Sequence, residues 1–90
     1  MLGAAPVTKK RTTLTYDLKK GRKVVYRGTT NDPERREREH RDAGLDFDRL
    51  LPTSRRMTPQ GAKDREAENL ERYRRSHGGH NPRYNKDTDG

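Results

Sequence analysis

From Thr13 to Gly28 apolar and polar side chains alternate. Leu14, Tyr16 and Leu18 are separated by Thr15 and Asp17, the period of two that sorts side chains onto the two faces of a strand. Lys19-Lys20-Gly21-Arg22-Lys23 interrupts the alternation with a glycine at its centre, a turn signal. A second strand is expected from Lys23 to about Gly28. On strict alternation Val24 and Tyr26 share one of its faces, and Val25 and Arg27 the other. The two tyrosines then stand on matching faces of adjacent strands, within cross-strand reach if the register permits.

The next stretch, Asn31 to Gly44, has the punctuation of a helix. Asn31 or Asp32 can cap it, Pro33 suits its first position, and Gly44 suits its end. Between these signals there is no Leu, Ile, Val or Phe, whereas a surface helix normally buries an apolar stripe. At about 100° per residue, the least charged face holds Pro33, Arg36, His40 and Ala43. Turned toward a sheet, that face delivers an arginine and a histidine inward. The plainer reading is a solvated run of charge.

Leu45, Phe47, Leu50 and Leu51 form the densest apolar cluster, and Pro52 limits any strand there to a short or edge one. A second helix is predicted from Thr58 as N-cap and Pro59 as first residue, with Met57 and Ala62 as a hydrophobic staple. Arg74 and Arg75 suit its negative end, and Gly78 or Gly79 stops it. Ala62, Glu66, Leu70, Tyr73 and His77 fall on one face. Glu68 and Glu71 fall on the other side, within reach of Arg72 and of Arg74 or Arg75. Glu66 thus sits in the middle of an apolar stripe, where a carboxylate is costly unless compensated. It either pairs with an arginine at the rim of the core, or serves as a divalent-metal ligand or catalytic acid. Periodicity leaves both open.

Composition narrows the classes. Ninety residues suit one small domain. A hydrophobic fraction of 24%, a charged fraction of 40% and a mean hydropathy of −1.56 approach the composition of disordered chains, but the apolar residues are patterned. Expected boundaries are a flexible basic tail over 1–11, a domain over 12–85 and a C-terminal tail over 86–90. Twenty-two Lys and Arg against 14 Asp and Glu give a net charge of +8, which points to a polyanion, chiefly nucleic acid. No apolar run is long enough to span a bilayer. The opening MLGAAPVTKKR has no basic region ahead of its short apolar part, so it does not read as a secretory signal, and a cytoplasmic location is expected. Without cysteine, disulfides and thiolate metal sites are excluded. His77 and His80 flank two glycines, and with a single further histidine they read as a phosphate-contacting loop rather than a zinc site.

Tyr16, Tyr26, Arg36, His40 and Glu66 form a set suited to phosphodiester chemistry. Arginine holds a phosphate through two bonds, a glutamate holds Mg²⁺, and Tyr or His takes a proton from water. Their order and spacing resemble the GIY-YIG nuclease family. Leu14-Thr15-Tyr16 stands where the family has Gly-Ile-Tyr, and Tyr26-Arg27-Gly28 where it has Tyr-Ile-Gly. The run from Tyr26 to His40 resembles the family stretch that places its essential arginine at Arg36 and a following His or Tyr at His40. Glu66, Leu70 and Tyr73 match the spacing around the family's metal-binding glutamate. Pro82-Arg83-Tyr84-Asn85 resembles its closing Pro-x-Tyr-Asn, which makes Asn85 the position that steadies the site. The resemblance runs from Thr12 to Asn85. Leu14, Thr15, Arg27 and Thr29 depart from the pattern, and Arg75 to His80 lengthens the approach to Asn85.

The resemblance implies an α+β fold, a small central three-stranded antiparallel or mixed sheet flanked by helices. It implies a metal-dependent DNA endonuclease in which Glu66 holds one Mg²⁺ or Mn²⁺, Arg36 clamps the phosphate, Tyr16 or Tyr26 activates water, and His40 assists. DNA contacts are expected from Lys19, Lys20, Arg27, Arg35, Arg38, Arg74 and Arg75. Specificity is left to a homodimer, a partner chain or recognition of DNA structure. The rival readings are an inactive nucleic-acid-binding module of the same fold, and a largely disordered basic chain that folds on RNA or a ribonucleoprotein.

Overall fold

The alternation that begins at Leu14 forms the hairpin it predicts. In the computed structural model, which describes residues 10–85, strands β1 (Leu14–Lys20) and β2 (Lys23–Thr30) pair antiparallel around Gly21, whose φ of +61° suits the turn. The tail segments expected at 1–9 and 86–90 lie outside the described residues. Leu14 faces Thr30, Tyr16 faces Gly28 and Leu18 faces Tyr26, but Lys19 then faces Val24, so Val25 has no partner in the ladder. This bulge overturns the strict alternation expected over 24–27. Val25 is buried in one cluster with Leu14, Tyr16, Leu18 and Phe47, because an extra residue re-aims the side chains around it.

The chain leaves β2 through a capped turn. The Thr30 hydroxyl accepts the Asp32 N–H at 3.0 Å, and Asp32 Oδ1 accepts the Arg35 N–H at 3.2 Å. Helix α1 (Pro33–Asp42) follows and ends at Ala43 and Gly44, the latter with φ +87°. None of its residues is fully buried. It carries the chain across the sheet to β3 (Arg49–Pro52), which pairs with the free edge of β1 and gives the order β2-β1-β3. The strand is short and at an edge, as Pro52 requires.

Beyond Pro52 the chain bulges outward. Pro52 faces Tyr16 and Met57 faces Thr13, so five steps of the returning chain span three of β1, and two residues are extruded. The Thr53 N–H donates to Thr15 O at 2.9 Å, and the Ser54 hydroxyl accepts the Thr15 N–H at 3.0 Å. Thr58 then caps helix α2 (Pro59–Ser76), its hydroxyl accepting the Gly61 N–H at 3.1 Å. Gly78 and Gly79, both at positive φ, turn the chain back. The last described residues run along the outer edge of β2, where the Tyr84 N–H donates to Val25 O at 2.8 Å.

The product is a small α+β fold, a three-stranded antiparallel sheet with two helices. The two faces of the sheet differ. One carries the apolar core, Leu14, Tyr16, Leu18, Val25 and Phe47, with Tyr26, Leu45, Leu50 and Tyr84 packed against it. The other is polar. Thr15 Oγ1 hydrogen-bonds Thr53 Oγ1 at 2.8 Å, and Arg27 Nε lies 3.2 Å from Asp17 Oδ1. Leu51 was expected to join the apolar cluster. It faces Asp17 across the ladder, so it lies on the polar side and is 40% exposed. Helix α2 packs on β1 and β2. It meets the polar face through Asn69, whose carbonyl accepts from Arg27 Nη1 at 2.8 Å, and through Tyr73, under the Arg27 guanidinium at 5.4 Å. No helix among the described residues is long and apolar enough to cross a membrane.

Candidate active site

On the apolar face the central strand contributes Tyr16 and the edge strand Tyr26, with ring centroids 6.0 Å apart and planes inclined by 24°. Gly28, opposite Tyr16, makes room for both. A Cβ there would lie 2.7 Å from Tyr26 Cε1 and 2.8 Å from the Tyr16 hydroxyl, closer than van der Waals contact allows. The half-buried side of α1 supplies His40. Its Nε2 lies 2.7 Å from the Tyr16 hydroxyl, and its ring centroid is 4.9 Å from that of Tyr26. Phe47 meets the same imidazole edge-on at 6.4 Å. One turn earlier, Arg36 donates from Nη1 to Thr29 O at 3.4 Å and from Nε to Glu39 Oε1 at 3.0 Å. The charged helix therefore presents its least charged face inward.

These surroundings set the protonation states. Burial, reinforced by Tyr26, pushes the Tyr16 phenol well above its ordinary range, and the Arg36 charge opposes the shift. Burial first, and then Arg36, hold His40 below its ordinary value, with Glu39 offsetting part of this. At neutral pH the pair is a neutral phenol bonded to a neutral imidazole. Tyr16 is only 1% exposed, and its hydroxyl is engaged with His40. Tyr26 is half-buried, and the Arg36 side chain is 32% exposed. Those two groups and His40 form the accessible surface of the cluster.

Asn85 is joined to this cluster through the backbone. Its Oδ1 accepts the Arg27 N–H at 2.8 Å and its Nδ2 donates to Arg27 O at 2.9 Å. The side-chain amide thus pairs with the edge of β2 as another strand would, one residue from Tyr26. Glu66 stands apart. It lies half-buried on α2, which meets the Asp17 and Arg27 face, and it makes no hydrogen bond or ion pair among the described residues. Burial raises its carboxyl above the ordinary range, against the nearby Lys63 charge. Among the described residues no hydrogen bond or ion pair links it to Tyr16, Tyr26, Arg36 or His40. No group of three or more His, Cys, Asp or Glu suited to a metal occurs among the described residues. One carboxylate with both oxygens uncommitted still fits Mg²⁺, which keeps most of its waters.

Most of the expected phosphate-contacting cations have partners. Lys20 meets Asp46 at 3.0 Å, Arg35 meets Glu39 at 3.6 Å and Arg75 meets Glu71 at 3.2 Å. Lys19 donates to Arg22 O at 3.3 Å and Arg74 to Asn81 Oδ1 at 2.9 Å. Arg38 is exposed and uncommitted among the described residues. Arg27 is turned inward, its side chain 21% exposed against Asp17, Asn69 and Tyr73. Glu68 pairs with Arg65 at 3.8 Å rather than with Arg72, which bonds Asn69 Oδ1 at 3.1 Å. His77 stacks on Tyr73 at 3.7 Å and is exposed, so it takes no part in the cluster. The residue pattern alone passes over a group of arginines at the start of α2, whose signal is the Arg55-Arg56 doublet after Pro52.

No protein-family model matches the chain, and no curated protein or solved structure matches it either.

Proposed function

We propose that the protein is a metal-dependent endonuclease that hydrolyses DNA phosphodiester bonds at the surface formed by Tyr26, Arg36 and His40. The observation that carries this reading is the 2.7 Å bond by which buried Tyr16 fixes His40 beside Tyr26 and Arg36. Arg36 holds the phosphate, since a guanidinium matches two phosphoryl oxygens at once. Water attacks phosphorus, its proton passes to Tyr26 or His40, and the bond to the leaving oxygen breaks. The reading asks Glu66 to hold a Mg²⁺ or Mn²⁺, which would supply polarisation of the phosphoryl oxygen and stabilisation of the leaving one, and it therefore requires Glu66 on α2 to reach the same phosphate as Arg36. Asn85 keeps the strand under Tyr26 in place. The reading carries a cytoplasmic location with it, and leaves specificity to a homodimer or a partner chain.

A second reading has its own support. Glu66 lies on the helix that meets the polar face, away from the tyrosines, an arrangement suited to an inactive nucleic-acid-binding module. Nicking of supercoiled plasmid with Mg²⁺ or Mn²⁺ separates the two. The nuclease nicks, and Arg36→Ala, Tyr26→Phe and Glu66→Ala each lose nicking while keeping most DNA affinity. A wild-type protein that binds DNA with strong salt dependence yet never nicks is the binding module.

A further inference from the structure

The extrusion after Pro52 has a chemical result. The residues that the ladder cannot accommodate include Arg55 and Arg56, and they are pushed out beside the start of α2. Together with Arg11 and Arg65 they line a cavity of about 520 Å³, completed by Ser54, Met57 and Thr58. Among the described residues that line it, four are arginines and none is acidic. The side chains of Arg11 and Arg55 make no hydrogen bond or ion pair among the described residues, and both residues are exposed. Among the described residues Arg65 pairs only with Glu68, at 3.8 Å between exposed side chains, a pairing too weak to neutralise it.

Like charges gathered around a concavity repel one another, and this costs stability unless an anion joins them. Arg56 also ties the cavity to the candidate active site. It donates to Thr12 O, and to Asn31 O at 3.0 Å, while Arg35 reaches Asn31 Oδ1 at 3.4 Å. The cavity therefore adjoins the junction of β2 and α1, one turn of helix from Arg36. Cations follow one another from Arg65 through Arg55 and Arg56 to Arg35 and Arg36, along the end of the sheet where Leu14 faces Thr30.

We propose that this arginine-lined cavity binds backbone phosphates of the nucleic acid whose scissile phosphate lies at Arg36. The inference rests on the nucleic-acid reading and names the surface that carries the flanking strand. Guanidinium groups suit it because each presents several N–H donors in a plane, which matches phosphate oxygens regardless of base. The cavity is a positioning surface and not part of the reaction centre.

The test uses the whole protein, a duplex oligonucleotide and chelator, so that binding is read without cleavage. The variant Arg11→Gln/Arg55→Gln removes two uncommitted charges. Arg22→Gln/Arg49→Gln removes the same charge elsewhere. The first pair should weaken affinity roughly ten-fold or more at low salt and flatten the slope of log affinity against log salt by nearly two units, at about 0.9 for each phosphate no longer neutralised. The second pair should change the slope by much less, because exposed charges more than about 10 Å away are screened at 0.1 M salt. Equal effects of the two pairs, or none from the first, overturn the proposal. So does a first pair that loses binding to phosphatidylserine vesicles while keeping duplex affinity, which would assign the cavity to a lipid surface. Plasmid nicking is scored separately. A protein that never nicks but shows the expected arginine dependence keeps the phosphate cavity and loses the nuclease reading. One that nicks normally with binding unchanged in the first pair does the reverse.

Discussion

The Tyr16 hydroxyl and His40 Nε2 lie 2.7 Å apart, one group from the middle strand and the other from a helix with no fully buried residue. That bond ties α1 to the sheet, as does the one from Arg36 Nη1 to Thr29 O. Tyr16→Phe keeps the ring and removes the hydroxyl, leaving a half-buried imidazole nitrogen without a partner. Such a loss costs about 1–3 kcal/mol, to be read as a lower midpoint of thermal unfolding. Plasmid nicking should slow while duplex affinity stays within a factor of about two, since Tyr16 is 1% exposed and its hydroxyl is engaged with His40. Unchanged stability and unchanged nicking together would sever the link between the bond and the site.

His40 makes stability depend on pH in a stated direction. Its folded pKa lies below the ordinary 6.5, chiefly through burial and then through Arg36. The unfolded chain therefore binds a proton at a pH where the folded chain resists it. The contribution is fully present above about pH 6.5 and is lost as pH falls through the depressed folded value. His40→Gln should flatten the stability profile in that window and leave the alkaline side unchanged, as measured by denaturant midpoints from pH 4.5 to 8.

Glu66 has the opposite sign. Burial raises its carboxyl above the ordinary 4.5, so its favourable contribution exists below that range and is lost as pH rises through the folded value. Glu66→Gln should therefore stabilise the metal-free protein at pH 7, with a gain that shrinks toward pH 4. Added Mg²⁺ should raise the unfolding midpoint of the wild type and not of the Gln variant, because an ion bound only to the folded state stabilises it by mass action. An equal Mg²⁺ response in both removes Glu66 from the metal site.

Gly28 tests the packing beneath the rings. Alanine at this position places a Cβ 2.7 Å from Tyr26 and 2.8 Å from the Tyr16 hydroxyl. Overpacking of this kind costs about 1–3 kcal/mol. The rings must shift, so Gly28→Ala should lose the Tyr16–His40 bond as well as stability. Histidine ring resonances in NMR spectra would report it. A variant with wild-type spectra and stability would show that the rings are free to move.

Asn85 offers a test at the strand edge. Asn85→Ala deletes both bonds to the Arg27 backbone, and at about 0.5–1.5 kcal/mol each the combined loss is measurable. The expected sign is faster exchange of the Arg27 amide than of the Tyr16 amide. Equal protection of the two in the variant would assign the edge to some other contact.

Much of the architecture was readable in the residue pattern, for local reasons. Asp32, Pro33, Thr58 and Pro59 mark the helix starts because capping depends on a few neighbouring residues. Pro52 marks an edge strand because it lacks an N–H. The inward face of α1, with Arg36 and His40, was readable from a 3.6-residue period despite the charge around it. What the pattern missed depends on pairing between distant segments. The bulge at Val25 arises from the register against β1 and turned a residue expected beside Arg27 into the core. Leu51 looked like core and is exposed because its partner across the ladder is Asp17. Arg27 looked like a surface cation and is drawn inward by Asp17, 10 positions earlier in the chain. The arginine cavity needed the Thr13–Met57 pair, which no local signal announces.

The contrast between the sheet's faces bears on how the chain avoids misfolding. A slip of one residue between β1 and its neighbours would exchange the faces and bring Thr15 and Asp17 to the side where Leu14, Tyr16 and Leu18 belong. Asp17 would leave Arg27 and enter an apolar layer as an unpaired carboxylate, a penalty that a core this small cannot absorb. The same ion pair that adds little to a conventional count of stabilising contacts thus acts against the competing registers. A chain with so few apolar residues selects its native pairing by making the wrong ones untenable.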